Sequence, residues 1–166
     1  MRNPERRIET NPFDVDAWNL LLREHQSRPI DQERDFYESL VKQFPNSGRY
    51  WKAYIEHELR SKNFENVEKL FSRCLVSVLN IDLWKCYIHY VFETKGQRDQ
   101  YREEMAKAYD FALEKVGMDV QAYSIFTEYI AFLKKVGRQL DSMQKISESQ
   151  QFEKFIRKPW QLPCTI

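Results

Sequence analysis

The chain has 166 residues, of which 42% are apolar, 31% charged and only four glycine, with 24 aromatic side chains. That balance suits a single domain with a substantial core and excludes a disordered, collagenous or disulfide-scaffold chain. The net charge of +1 divides into +4 on residues 134–166 and −3 on residues 1–133, so the bulk of the chain lacks the clustered basic face that a nucleic-acid backbone requires.

In chain order, the start Met1-Arg2-Asn3-Pro4-Glu5-Arg6-Arg7 has no apolar stretch behind it, and the sequence predicts no secretory signal. Breaker-free segments follow, in which apolar residues recur at three- and four-residue spacing, as in Phe36, Tyr37, Leu40, Val41 and Phe44. The spacing predicts amphipathic helices at about 14–27, 30–44, 48–61, 64–79, 82–95, 99–116 and 119–136 and no strand. Asp14, Ser47, Asp82 and Asp119 stand where a short polar side chain caps a helix start. Ser77, Asn80 and Asp82 interrupt the most apolar region before it reaches membrane-spanning length, and no membrane association is expected. Cys74, Cys86 and Cys164 are odd in number and lack metal-ligand spacing, which points to a reducing, intracellular setting.

The helices form a repeat. Trp18, Trp51 and Trp84 are 33 residues apart, and each is followed three and four places on by an apolar pair: Leu21-Leu22, Tyr54-Ile55 and Tyr87-Ile88. A fourth copy has Phe126 in the Trp place with Tyr129-Ile130 behind it, and its extra residues fall in loops around Gly96 and Gly117. A second helix type alternates with the first, carrying Phe36-Tyr37 with Leu40-Val41, Leu70-Phe71 with Cys74-Leu75, and Ala108-Tyr109 with Ala112-Leu113. The expected fold is all-α, an α-solenoid of antiparallel helix pairs with three full repeats and a partial fourth, at about 13–45, 47–79, 81–117 and 119–136. Its core should contain Trp18, Trp51, Tyr54, Trp84, Tyr87, Tyr109, Phe126 and Tyr129. The solenoid occupies 1–136, and 137–166 is a divergent basic tail, helical or disordered. Tetratricopeptide repeats place Gly four residues after the Trp, where this chain has Leu22, Ile55, Ile88 and Ile130. The pattern looks instead like the half-a-TPR (HAT) repeat of RNA-processing scaffolds.

The likeness extends beyond the repeat. Asn11-Pro-Phe-Asp-Val-Asp-Ala-Trp18, the run from Pro29-Ile-Asp31 to Gln43-Phe-Pro45, Gly48-Arg-Tyr-Trp-Lys-Ala-Tyr-Ile-Glu56, Val67-Glu-Lys-Leu-Phe-Ser-Arg-Cys-Leu75, Ile81-Asp-Leu-Trp-Lys-Cys-Tyr-Ile88, Glu93-Thr-Lys-Gly96 and Ala108-Tyr-Asp-Phe-Ala-Leu113 resemble the N-terminal HAT half of the suppressor-of-forked family. These are the large scaffold subunits of cleavage stimulation factor. The resemblance covers about residues 11–136 and implies a nuclear, non-catalytic scaffold of pre-mRNA cleavage and polyadenylation. Its implied partners are other 3′-end processing proteins, with RNA reached indirectly through the complex. The family homodimerises through a C-terminal half that this chain does not resemble after Val136, and on that reading the chain is a shortened form.

No reaction centre stands out. His25, His57 and His89 recur with the repeat, which accounts for their spacing without a metal. Cys74 occupies the small slot that Ala112 fills one repeat later, and the adjacent Glu103 and Glu104 face different sides of a helix. Phosphate-loop and dinucleotide fingerprints are absent, so no catalytic residue, metal or cofactor is expected. Function in such an array falls to exposed positions. The first and fifth places after each Trp, Asn19 and Arg23, Lys52 and Glu56, Lys85 and His89, form a polar strip that is either a solvated face or a partner-binding surface. Three alternatives remain open: an adaptor for acidic peptide segments using Lys52 and Lys85, a HAT scaffold of splicing or ribosome biogenesis, and direct RNA binding by the basic tail.

Overall fold

The computed structural model describes residues 3–95 and 101–139, with side chains to 137. The loop around Gly96, the start of the helix expected from 99, and most of the basic tail lie outside the described residues. Among those residues the secondary structure is entirely helical: α1 Pro4–Thr10, α2 Val15–His25, α3 Ile30–Gln43, α4 Gly48–Arg60, α5 Phe64–Cys74, α6 Ile81–Lys95, α7 Tyr101–Val116, a short 3-10 turn Val120–Ala122, and α8 Tyr123–Gln139. The helices pack in adjacent pairs, and the chain is an all-α solenoid of helical repeats. No helix among the described residues is long and apolar enough to cross a membrane. The chain divides into two compact units, 1–83 and 84–166, with the division falling inside α6.

Helix α1 was not visible in the periodicity, because Ile8 is its one large apolar side chain. Polar chemistry holds it. Pro4 opens the first turn, the Asn3 side chain accepts from the Glu5 N–H at 3.2 Å, and Arg7 grips Asp14 with two hydrogen bonds of 2.9 Å. Asp14 also caps α2 by accepting from the Ala17 N–H at 3.0 Å, and its carboxyl is held below the usual range by that bond and by Arg7. Two expected caps differ. Ser47 makes no side-chain cap, and Asn80 rather than Asp82 accepts at the start of α6, from the Leu83 N–H at 3.0 Å. Asp119 caps the 3-10 turn ahead of α8, accepting from the Gln121 N–H at 2.8 Å. Helix α5 ends at Cys74 instead of near 79, yet Leu75 and Val78 stay buried, since consecutive turns preserve the spacing that reads as helix.

In the first unit α1 packs on α2, α2 on α3, α3 on α4 and α4 on α5. The two Trp residues there are fastened identically: Nε1 of Trp18 donates to the Pro12 carbonyl at 2.8 Å, and Nε1 of Trp51 to the Pro45 carbonyl at 2.7 Å, six residues back in each case. Trp18 lies against Phe36 and Phe44, with ring centroids 5.9 and 6.2 Å away. Tyr37 of α3 stacks on Tyr54 of α4 at 4.8 Å, and Tyr54 donates to Glu38, the residue after Tyr37. The second unit repeats that device. Tyr109 of α7 stacks on Tyr129 of α8 at 4.7 Å, and Tyr129 donates to Asp110, the residue after Tyr109. Burial raises the pKa of Tyr37 and Tyr109 to about 12, so all these hydroxyls remain protonated donors at neutral pH.

Of the expected core, Trp18, Trp51, Tyr54, Trp84, Tyr109 and Tyr129 are buried, whereas Tyr87 and Phe126 are only half-buried. Phe126 has no N–H with which to fasten to a carbonyl, and α8 buries the neighbouring Ile125 completely instead. Tyr87 leans on the edge of Trp84 at 6.2 Å, while the fully buried side chains around the start of α6 are Leu83 and Trp84.

Candidate interaction surface

The polar positions lie on the first helix of each repeat in pairs one turn apart, the first of each pair (Asn19, Lys52, Lys85) half-buried and the second (Arg23, Glu56, His89) exposed. In the first unit, Asn19 on α2 is half-buried and accepts from the Tyr50 hydroxyl of α4 at 3.2 Å, tying two leading helices together. Arg23, one turn on, is exposed. On α4, Lys52 and the exposed Glu56 pair at 3.7 Å. In the second unit, Lys85 of α6 reaches Glu128 of α8 at 3.9 Å, and the exposed His89 pairs with Glu93 at 3.1 Å. Surface pairs of this kind contribute at most about 1 kcal/mol, and the Lys52, Glu56 and Lys85 charges stay available to a competing partner.

The histidines occupy three different settings. His25 is stacked on Phe36 at 3.9 Å and bonds to the buried Glu33. His57 is buried, with Nδ1 bonded to the Tyr37 hydroxyl at 2.9 Å and its ring also hydrogen-bonded to the backbone of Arg28. His89 is exposed. Among the described residues no group of three His, Cys, Asp or Glu side chains converges as metal ligands.

Burial, with the Arg60 charge beside it, holds His57 below its ordinary pKa. The neutral ring therefore belongs to the folded state, and the unfolded chain binds the proton more readily. His57 contributes stability that is complete above the unfolded value of about 6.5 and is lost as pH falls through the folded value. Urea midpoints should fall between about pH 7.5 and about 5.5, and the slope should flatten in His57→Gln. An undiminished slope in the variant would assign the effect elsewhere.

One surface escaped the sequence reading. Between α3 and α5 lies an open groove of about 740 Å³, floored by Val41, Pro45 and Trp51 and rimmed by Glu38, Lys42, Asn46 and Arg73. Arg73 spans it, donating from both terminal nitrogens to Glu38 at 2.7 and 2.8 Å while its guanidinium lies 5.1 Å from the centre of a Trp51 ring. These hydrogen bonds hold Glu38 below the usual carboxylate range. The signal in the sequence was one residue: Arg73 precedes Cys74 as Phe111 precedes Ala112, and Phe111 packs on Trp84 at 5.0 Å. The same position is Ser39 in the first repeat, so Arg73 is the charged member of a register that otherwise holds a serine and a phenylalanine.

Comparison with known proteins places this architecture. The family model described as Suppressor of forked protein (Suf) matches residues 1–165. The chain is 56% identical over 129 residues to Protein suppressor of forked of Drosophila melanogaster, covering 78% of this chain and 17% of that protein. It is 41% identical over 127 residues to Cleavage stimulation factor subunit 77 of Arabidopsis thaliana, covering 75% and 17%. It is 37% identical over 130 residues to the mRNA 3′-end-processing protein rna14 of Schizosaccharomyces pombe, covering 77% and 18%. The chain spans less than a fifth of the length of these relatives. A match along nearly all of its residues, on a fold of paired helices, means that the chain belongs to the suppressor-of-forked family.

Proposed function

We propose that the chain is a non-catalytic protein-interaction scaffold of pre-mRNA 3′-end cleavage and polyadenylation, acting in the nucleus. The observation that carries this reading is the family match over residues 1–165, joined by relatives named for 3′-end processing. The repeat aromatics Trp18, Trp51, Tyr54, Trp84, Tyr109 and Tyr129 are buried, which leaves the polar positions of the leading helices for recognition. We assign the repeat array to 1–136 and partner contact to the positions Asn19, Arg23, Lys52, Glu56, Lys85 and His89, of which Lys52, Glu56, Lys85 and His89 make surface pairs that a partner could exchange for its own. Partners are other 3′-end processing proteins, and RNA is reached through them.

A glycerol gradient of nuclear extract containing the tagged full chain tests this. The chain should co-sediment with the activity that cleaves an RNA bearing a polyadenylation signal. Sedimentation only as free chain, with the activity elsewhere, would refute the assignment.

A further inference from the structure

We propose that the groove between α3 and α5 docks an extended segment of a partner protein in which an acidic side chain adjoins an apolar one. The inference rests on the scaffold reading and names a second surface for it, between the second helices of the first two repeats. Its floor of Val41, Pro45 and Trp51 is apolar, and with about 740 Å³ open to solvent it suits a segment lying across the surface rather than an enclosed small molecule. Its rim is rich in donors with capacity left over. Among the described residues Lys42 makes no ion pair and the Asn46 side chain no hydrogen bond, and both are exposed. Ser39 and Ser77 direct their protons to the Asp35 and Cys74 carbonyls, so their oxygens remain only as acceptors. Arg73 is fixed by Glu38 on its edge and by Trp51 on one face, and its side chain is 48% exposed. A carboxylate entering beside Lys42 meets an ammonium, an amide N–H and an already oriented guanidinium, while a neighbouring apolar side chain covers Pro45 and Trp51.

The charge balance separates a peptide from a nucleic acid. Glu38 lines the same groove and offsets Arg73, leaving Lys42 as the one uncompensated cation of the lining. A polyanion gains affinity by releasing counterions along a row of cations, and one lysine beside a carboxylate supplies no such row. A single carboxylate with an apolar neighbour matches what is present.

The test uses the isotope-labelled full chain and three probes: a synthetic peptide alternating Glu with Phe, its counterpart alternating Lys with Phe, and an oligouridylate. The Glu-Phe peptide should shift the Trp51 indole and Asn46 side-chain NMR signals saturably, and the Lys-Phe peptide should not. Lys42→Glu, an exposed change checked for an unaltered melting profile, should weaken binding by about tenfold or more. Three results would overturn the proposal: no saturable shift at Trp51 and Asn46, equal binding by Lys42→Glu, or the oligouridylate occupying these signals more tightly than the peptide. The gradient experiment keeps the two readings apart. If the chain co-sediments with cleavage activity but the groove binds no peptide, the groove falls and the scaffold stands; if it binds peptide but does not co-sediment, the scaffold falls and the groove stands.

Discussion

Arg34→Ala should lower the urea midpoint of the chain by the equivalent of about 3 kcal/mol, an effect typical of breaking a buried ion pair from one side. Glu58 is fully buried, and its carboxylate is held by Arg34 at 2.7 and 3.2 Å and by Asn63 at 2.7 Å. Burial alone would push its pKa up; the hydrogen bonds from Arg34 and Asn63 outweigh it and leave the carboxyl below its ordinary value. Arg34 is in turn raised above the usual guanidinium value by its bond to Glu58. Without the guanidinium, Glu58 keeps its burial and loses its counter-charge. The loss falls at the lower end for buried pairs because the Arg34 side chain is 34% exposed, so water reaches the pair. The variant should also carry a pH signature. A buried carboxylate without its partner has a raised folded-state pKa, so the deficit should shrink as pH falls toward about 4. Arg34→Met combined with Glu58→Leu should recover much of the stability, since no charge then remains buried. An Arg34→Ala chain as stable as the wild type would mean that Asn63 and water suffice for Glu58.

Trp84→Ala should cost about 4 kcal/mol, because the side chain is fully buried against Phe111 and leaves a cavity that α6 and α7 cannot close. Trp84→Phe separates packing from hydrogen bonding. Trp84 has no hydrogen-bond partner for its buried Nε1 among the described residues, whereas Trp51 donates to Pro45. The residue six places before Trp84 is Val78, whose carbonyl accepts from the Asn80 N–H instead. Removing an unsatisfied buried N–H relieves a desolvation penalty, so Trp84→Phe should be milder than Trp51→Phe by about 1 to 2 kcal/mol. Denaturant titration of both variants checks this, and an equal or larger loss at Trp84 would point to a partner for that N–H.

The repeat was legible because one pattern recurs in it: a Trp in the first helix of three copies, Phe126 in the fourth, with an apolar pair three and four places on. Where stability comes from polar contacts, the pattern is silent. Helix α1 depends on Asn3, Pro4 and the Arg7–Asp14 pair, which no apolar period marks. The half-burial of Tyr87 and Phe126 was equally invisible, since a repeat register does not say which of two adjacent residues turns inward, and α8 chose Ile125 over Phe126. Spacing marks the polar positions, but not that Asn19, Lys52 and Lys85 are half-buried, nor which residues Asn19 and Lys85 meet on other helices. Lys85 with Glu128 and Tyr50 with Asn19 join residues on different helices. The groove hinges on Arg73 and Glu38, 35 residues apart, whose meeting only the folded chain reveals.

Affinity purification of the tagged full chain from nuclear extract, read by quantitative mass spectrometry, tests the scaffold role most directly. Subunits of the 3′-end cleavage and polyadenylation machinery should be enriched. They should be lost when Arg23, Lys52 and Lys85 are all changed to glutamate with the helical circular dichroism intact. Enrichment of splicing or ribosome-biogenesis proteins in their place, or of nothing above the bead control, would contradict a role for this chain in 3′-end processing.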